Sequence, residues 1–319
     1  MTERMAYFNG HFILESELRL APFDMGVRIG EFVFETVRTY DHRPHRLREH
    51  MGRLYASMKA LGIDSGMSID EMEAVTHELI DRNKATIEPY DDLMWNAEAS
   101  RGVTSPFAAG PLDSHERTVF IVFIPLGAFL LPMLDGLENG APVVIPPTRA
   151  IPARYLDPKI KNRNRMHYGR GMREVRKVDP RAEALFLDDD GFVTEGGGAN
   201  FLIVKDGAFI SPEGRNILRG ITREDVRDLA PQLDMEFVEA NIEPYDVMTA
   251  DEAFFASTPF FVMPVTSIDG RPIGTGRPGP AVDRLIEAFA QQVGIHPIEQ
   301  ARKIAQPHLA DRPMGSRPY

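Results

Sequence analysis

Cysteine is missing from all 319 positions, tryptophan occurs once, and lysine supplies only seven of the 36 basic residues. Without thiols there are no disulfides and no thiolate metal sites, a pattern that fits the reducing cytoplasm. Long apolar runs are lacking too. The longest, Val119 to Leu126 and on towards Leu134, is interrupted by Pro125, Gly127 and Pro132, so it reads as no membrane span. The opening Met1-Thr2-Glu3-Arg4-Met5 lacks the apolar centre of a secretory signal. A net charge of −11 argues against nucleic acid as a partner. What is present is 43% hydrophobic residues, enough for one large or two ordinary cored domains of a soluble, cytoplasmic protein.

Turn signals recur. Asn9-Gly10, Asp190-Gly191, Asp206-Gly207 and Asp269-Gly270 each stand between apolar arms, as two-residue hairpin turns require. Leu47, Met51, Leu54, Met58 and Leu61 follow a 4-3-4-3 spacing, which predicts an amphipathic helix. Ser68 and Glu71 form a capping box for a second helix running towards Lys84. A third opens at Thr222 and a fourth spans Pro278 to Val293. Val119 to Ile124 reads as a buried strand. Strands and helices mixed without βαβ regularity indicate an α+β architecture. The expected boundaries are a first domain over 1–124, a connection over 125–135, a second domain over 136–296 and a loose tail over 297–319.

Chemistry concentrates in a few places. Lys159 and Lys161 lie in a stretch without helical periodicity, and in an extended strand both point to one side, so either can reach a ligand. Two surface lysines are the plainer reading. Glu195 precedes Gly196, Gly197 and Gly198, where missing side chains let backbone approach a flat ligand; a solvated turn is the alternative. Ile221 and Thr222 begin a helix, whose free N–H groups attract an anion, although any Thr-capped helix looks alike. Thr258 ends an apolar strand with its hydroxyl available, and Arg53 lies between core positions of its helix. An amine, an acid and a phosphate cradle together suggest pyridoxal phosphate. His42, His45 and His50 match no metal-ligand spacing, and Ser257 has no nucleophile elbow.

Taken together, Glu49-His50-Met51-Gly52-Arg53-Leu54, Lys161, Glu195 to Asn200, Leu218 to Arg223 and Ala250 to Thr258 resemble the class IV aminotransferases, the fold-type IV pyridoxal-phosphate enzymes. Within that group the likeness is nearest in kind to the branched-chain amino acid aminotransferases, and it covers about residues 5 to 295. It implies a small α/β sandwich domain, a larger pseudo-barrel domain that binds the cofactor, and a homodimer. By the same resemblance Lys161 matches the Schiff-base lysine and Glu195 the acid under the pyridine nitrogen. Arg53, Ile221, Thr222 and Thr258 match the phosphate ligands, and Leu218 the residue packed on the ring. The implied reaction is ping-pong transfer from an apolar, branched-chain-type amino acid to a 2-oxo acid.

Departures keep other branches open. Arg101 to Pro106 resembles the D-amino acid transaminases, yet Phe107 and Ala109 replace that branch's carboxylate-binding pair. Asp157-Pro158 resembles the (R)-amine transaminases. Thr36 stands where branched-chain enzymes have glycine, as it does in the aminodeoxychorismate-lyase branch. Pro259 has no N–H to offer a substrate carboxylate, so an amino acid would need Arg38, Arg163 or Arg165 in compensation. Phe34, Thr36, Arg38, Trp95 and Pro259 are the substrate candidates, with Phe32, Phe107, Phe260 and Phe261 as further apolar lining. A non-catalytic cofactor-binding protein is the remaining alternative.

Overall fold

The computed structural model describes residues 3–103 and 116–306, so Phe107 and Ala109 lie outside the described residues. Two compact units emerge, one of Met1–Leu126 with Ile160–Asn164, the other of Gly127–Lys159 with Arg165–Tyr319.

The first unit is a six-stranded sheet with its two longer helices packed on one face. Its strands are β1 (Met5–Phe8), β2 (His11–Leu14), β3 (Phe32–Tyr40), β4 (Arg43–Pro44), β5 (Leu93–Val103) and β6 (Glu116–Pro125), ordered β2-β1-β6-β5-β3-β4. Short α1 (Met25–Ile29) precedes β3, while α2 (Leu47–Leu61) and α3 (Ile69–Asn83) follow β4. The bounds of α2 are those the apolar spacing predicts, and its end is set by Gly62 at φ 65. The Ser68–Glu71 capping box opens α3 as expected. In β3 and β5 alternate residues serve opposite faces. Val33, Val37, Trp95 and Ala97 join Met51, Leu54 and Leu79 in the core. Met51 and Leu54 are fully buried, so truncating either to alanine costs ~2–5 kcal/mol.

In the second unit the short helices α4 (Leu126–Leu130) and α5 (Leu134–Asn139) occupy the segment expected to be a connecting loop. Its strands are β7 (Ala141–Val144), β8 (Glu183–Leu187), β9 (Val193–Gly196), β10 (Asn200–Lys205), β11 (Ala208–Pro212), β12 (Glu236–Ala240), β13 (Glu252–Ser257), β14 (Phe261–Ile268) and β15 (Arg271–Pro272). The order β12-β11-β10-β13-β14-β7-β8-β9 returns on itself because β9 also pairs with β10, through Asn200 opposite Glu195. The sheet thus closes as a barrel, and Glu195 sits at the seam. The helices α6 (Met166–Arg176), α7 (Ile221–Leu229), α8 (Pro244–Met248), α9 (Pro280–Val293) and α10 (Pro297–Ala305) complete the unit.

Several expectations are corrected. The chain makes two βαβ crossovers, β7-α6-β8 and β11-α7-β12, each joining parallel neighbours; the α+β class stands, with parallel pairing inside it. Of the four turn signals, Asn9-Gly10, Asp206-Gly207 and Asp269-Gly270 are two-residue turns with positive φ at both residues. Asp190-Gly191 instead lies in a longer loop, gathered by the Asp188 carboxylate accepting from Asp190 and Phe192 N–H. The tail expected to be loose from 297 begins with α10, because Pro297 suits a first helical turn and the His296 ring accepts from Glu299 N–H. Helix α6 is not marked by apolar spacing because only Gly171, Met172 and Val175 of it are buried. Residues Ile160–Asn164, expected in the second domain, cluster with the first unit. Among the described residues no helix is long and apolar enough to cross a membrane.

Candidate active site

Lys161 lies beside the edge of β3. Its carbonyl accepts from Phe34 N–H at 2.9 Å, Arg163 N–H reaches Phe32 O at 2.9 Å, and Asn162 bridges Val33. Lys161 N–H also donates to Ser57 Oγ of α2 at 3.3 Å. These backbone bonds make the segment an extra short strand, so the lysine starts from a fixed base. Its Nζ lies 4.8 Å from the centre of the Phe34 ring. Lys159, the other candidate, belongs to the second unit and pairs with Asp157 at 2.7 Å.

Arg53, on α2, donates Nε and Nη2 to the two oxygens of Glu35 at 2.7 and 2.8 Å. His50 Nδ1 meets the same carboxylate at 2.7 Å. Glu35 is fully buried. Burial alone would raise its pKa, but the Arg53 charge and the His50 and Arg53 hydrogen bonds prevail and hold it down at about 2. For His50 burial wins, and its pKa is lowered despite Glu35. Sequence reasoning did not single out either as a partner of Arg53, although Glu35 lies between the substrate candidates Phe34 and Thr36 and His50 lies in the Glu49 to Leu54 motif.

The other substrate candidates of the first unit part company. The β3–β5 register sets Phe34 opposite Glu98 and Thr36 opposite Asn96. Thr36 Oγ1 donates to Asn96 Oδ1 at 2.8 Å. Trp95, opposite Val37, faces the other way and is fully buried in the helix-packed core, so it lines no pocket. Arg38 is 1% exposed, its Nε donating to Thr39 O, its Nη2 4.0 Å from Asp92 and its guanidinium over Tyr40. That arginine is structural.

In the second unit Glu195, 8% exposed, accepts from Tyr168 Oη at 2.7 Å, from Asn200 Nδ2 at 3.1 Å and from Leu218 N–H at 3.0 Å. Burial first, then the Glu195 charge, drives the Tyr168 hydroxyl well above the usual phenol range, so it stays a donor. Asn200 Nδ2 also donates to Leu218 O at 2.8 Å, tying the acid to the loop before α7. Gly196 is required here, since a Cβ would stand 2.7 Å from the Phe255 ring. Tyr168 and Asn200 were not picked out from sequence; Asn200 closes the quoted glycine motif, but nothing in the spacing marked Tyr168.

Helix α7 starts at Gly220, which has no side-chain cap, leaving the first-turn N–H groups of Ile221 and Thr222 without intrahelical acceptors. A side chain at Gly220 would strike Asn200 Oδ1 at 2.0 Å. Arg223 turns elsewhere, to Ser211 Oγ at 2.7 Å and to Glu224 and Glu239. Thr258 and Pro259 form the turn from β13 to β14, where Phe260 N–H reaches Ser257 O at 3.3 Å and Phe261 takes φ 66. A phenylalanine in the left-handed region is strained, and such strain gathers at ligand-binding turns. An acid held by three donors and an uncapped helix start suit a phosphate ester with a cationic ring nitrogen.

Comparison with known proteins covers most of the chain. The model of class IV amino-transferases matches residues 32–268. A putative branched-chain-amino-acid aminotransferase of Methanocaldococcus jannaschii is 35% identical over 286 residues, 89% of this chain and 94% of its own length. The D-alanine aminotransferase of Bacillus licheniformis is 29% identical over 287 residues, 90% of this chain and 96% of its own. The branched-chain amino acid aminotransferase of Thermobaculum terrenum, solved in its PLP-form, superposes with a TM-score of 0.76 at 25% identity, covering 95% of this chain and 97% of that one.

Proposed function

The chain belongs to the class IV aminotransferases, and on that footing we propose that it moves an amino group from an apolar, branched-chain-type amino acid to a 2-oxo acid, with pyridoxal 5'-phosphate as carrier. The observation that carries the reading is Glu195, a buried acid oriented by Tyr168, Asn200 and Leu218. Such an acid is what a protonated ring nitrogen needs. In this reading Ile221, Thr222, Thr258 and Arg53 would hold the phosphate, Leu218 would pack on the ring, and Lys161 would be the amine that takes up the aldehyde. Lys161 Nζ would be the group that takes and returns the proton at the substrate's α-carbon, as base and then acid. When bound, pyridoxal phosphate supplies the electron sink that makes that proton removable. The branched-chain donor is supported by the names of the M. jannaschii and T. terrenum relatives.

Two companion proposals follow from the same membership. The chain works as a homodimer, for which Phe23, Val27 and Ile29, exposed by 57%, 51% and 57%, offer apolar surface; sedimentation would give the mass of two chains. It resides in the cytoplasm, in keeping with a sequence without cysteine.

The test is a donor panel with 2-oxoglutarate. L-leucine should be turned over at least ~10-fold faster than D-alanine, the size of effect that one or two pocket contacts produce. Borohydride reduction should leave the phosphopyridoxyl mass on the peptide containing Lys161. A faster reaction with D-alanine would overturn the donor assignment, and label on Lys159 would overturn the lysine.

A further inference from the structure

Pro259 cannot donate an N–H to a substrate carboxylate, and of the three arginines able to compensate the structure favours one. Arg38 is sealed against Asp92 and Tyr40. Arg165 donates Nη2 to Gly197 O at 2.5 Å and lies over Tyr168, within the hydrogen-bonded surroundings of Glu195. Arg163 differs. It stands two residues beyond Lys161 on the same backbone-pinned segment, and its side chain is 32% exposed. Its guanidinium lies 3.6 Å from the centre of the Phe34 ring, the ring that also carries Lys161 Nζ at 4.8 Å. The Glu98 carboxylate takes Nε at 3.1 Å and Nη2, so both bonds lie along one edge of the fork. Glu98 does not engage the two N–H donors of Nη1. Asn96, two residues before Glu98 on the same strand face, brings an amide to that surface.

We propose that Arg163 is the specificity-determining residue that recognises the substrate carboxylate, held to its task by Phe34 beneath and Glu98 beside it. The ligand class is therefore amino acids and 2-oxo acids rather than carboxylate-free amines and ketones. The inference rests on the aminotransferase reading above. Glu98 is a positioning residue: two hydrogen bonds and a stacked ring fix the plane of the guanidinium before substrate arrives, which lowers the ordering cost of binding. The pair also keeps Glu98 from presenting a bare negative charge to an incoming carboxylate.

L-leucine and isoamylamine, the same carbon chain without the carboxylate, discriminate directly. With holoenzyme, Arg163→Gln should lower the ratio of kcat/KM for L-leucine over isoamylamine by about 10- to 100-fold, the loss of one hydrogen bond to a charged group. The loss should appear in KM, with the absorbance of bound cofactor retained. Arg163→Lys, which keeps the charge and disturbs packing less, should lie between, and Glu98→Gln should raise KM for L-leucine by a smaller factor. A ratio within about twofold of wild type in both Arg163 variants would overturn the proposal, as would a wild-type preference for isoamylamine. A wild-type protein that binds no pyridoxal phosphate would sink the aminotransferase reading itself, an outcome the absorbance separates from the others.

Discussion

Glu35 and Glu98 stand on neighbouring strands of one sheet, each with an arginine as partner, and they face opposite ways. Glu35 points into the helix-packed side, fully buried, with Arg53 and His50 both upon it. Glu98 points to the side of Phe34 and Thr36 and is itself 7% exposed, but its partner Arg163 opens to solvent, with about one-third of its side chain exposed. The chemistry is the same and the dielectric is not. A buried pair costs much desolvation and tolerates no loss of a partner, so it suits fixing a helix and the arginine on it. A half-open pair is screened and exchangeable, so it suits meeting a ligand.

The largest effect should come from breaking the sealed pair. Glu35→Gln leaves Arg53 without its counter-charge in the interior and should destabilise the first unit by ~3–5 kcal/mol, read by urea denaturation at pH 7. Acid should do the same to the wild type. The folded pKa of Glu35 is about 2 against an ordinary carboxylate value of 4.5, so its contribution is present above the unfolded value and is lost as pH falls from there through the folded one. His50, lowered by burial, favours the unfolded state once pH drops below its ordinary range of ~6.5. Because the two groups touch, the decline belongs to the pair. In Glu35→Gln the lower part of that decline should flatten, and an unchanged acid profile would contradict the sealed-pair account.

A third carboxylate sharpens the contrast. Glu195 is nearly as buried as Glu35, yet its hydrogen bonds from Tyr168, Asn200 and Leu218 come from neutral donors. Tyr168→Phe removes one donor from a buried acid, a loss of about 1.5–3 kcal/mol. It should appear mainly as weaker retention of pyridoxal phosphate, measured by titrating the apoprotein, with the melting temperature less affected than in Glu35→Gln. Equal losses in the two variants would put Glu195 in the same structural class as Glu35.

How much of this was legible in the sequence follows from the range of each interaction. Helix α2 and the start of α3 were readable to the residue because apolar spacing and the Ser68–Glu71 box are local. The turn residues Asn9, Asp206 and Asp269 were readable because a positive φ leaves few choices. Lys161, Glu195 and the start of α7 were found as motif positions. Whatever depends on pairing across the chain was not readable. Strand phase decides that Trp95 faces the core and Phe34 does not, and phase needs the register with β5. The Tyr168–Glu195 bond needs α6, whose arginine- and glycine-rich sequence gives little apolar signal. Closure of the barrel through Glu195 and Asn200 depends on a single strand-to-strand pair.

The smallest expected effect tests the open pair. Glu98→Gln keeps the shape of the side chain and one acceptor for Arg163 while removing the charge. With Arg163 one-third exposed, water replaces much of what is lost, so the stability change should stay within ~1 kcal/mol. Salt should decide the matter. Raising ionic strength from about 0.01 to 1 M shortens the screening length from about 30 to 3 Å, which should narrow the gap between wild type and Glu98→Gln while leaving that between wild type and Glu35→Gln almost unchanged. If Glu98→Gln were instead as damaging as Glu35→Gln and as indifferent to salt, the Arg163 pair would be a second structural clamp. The arginine would then not be available to a substrate carboxylate.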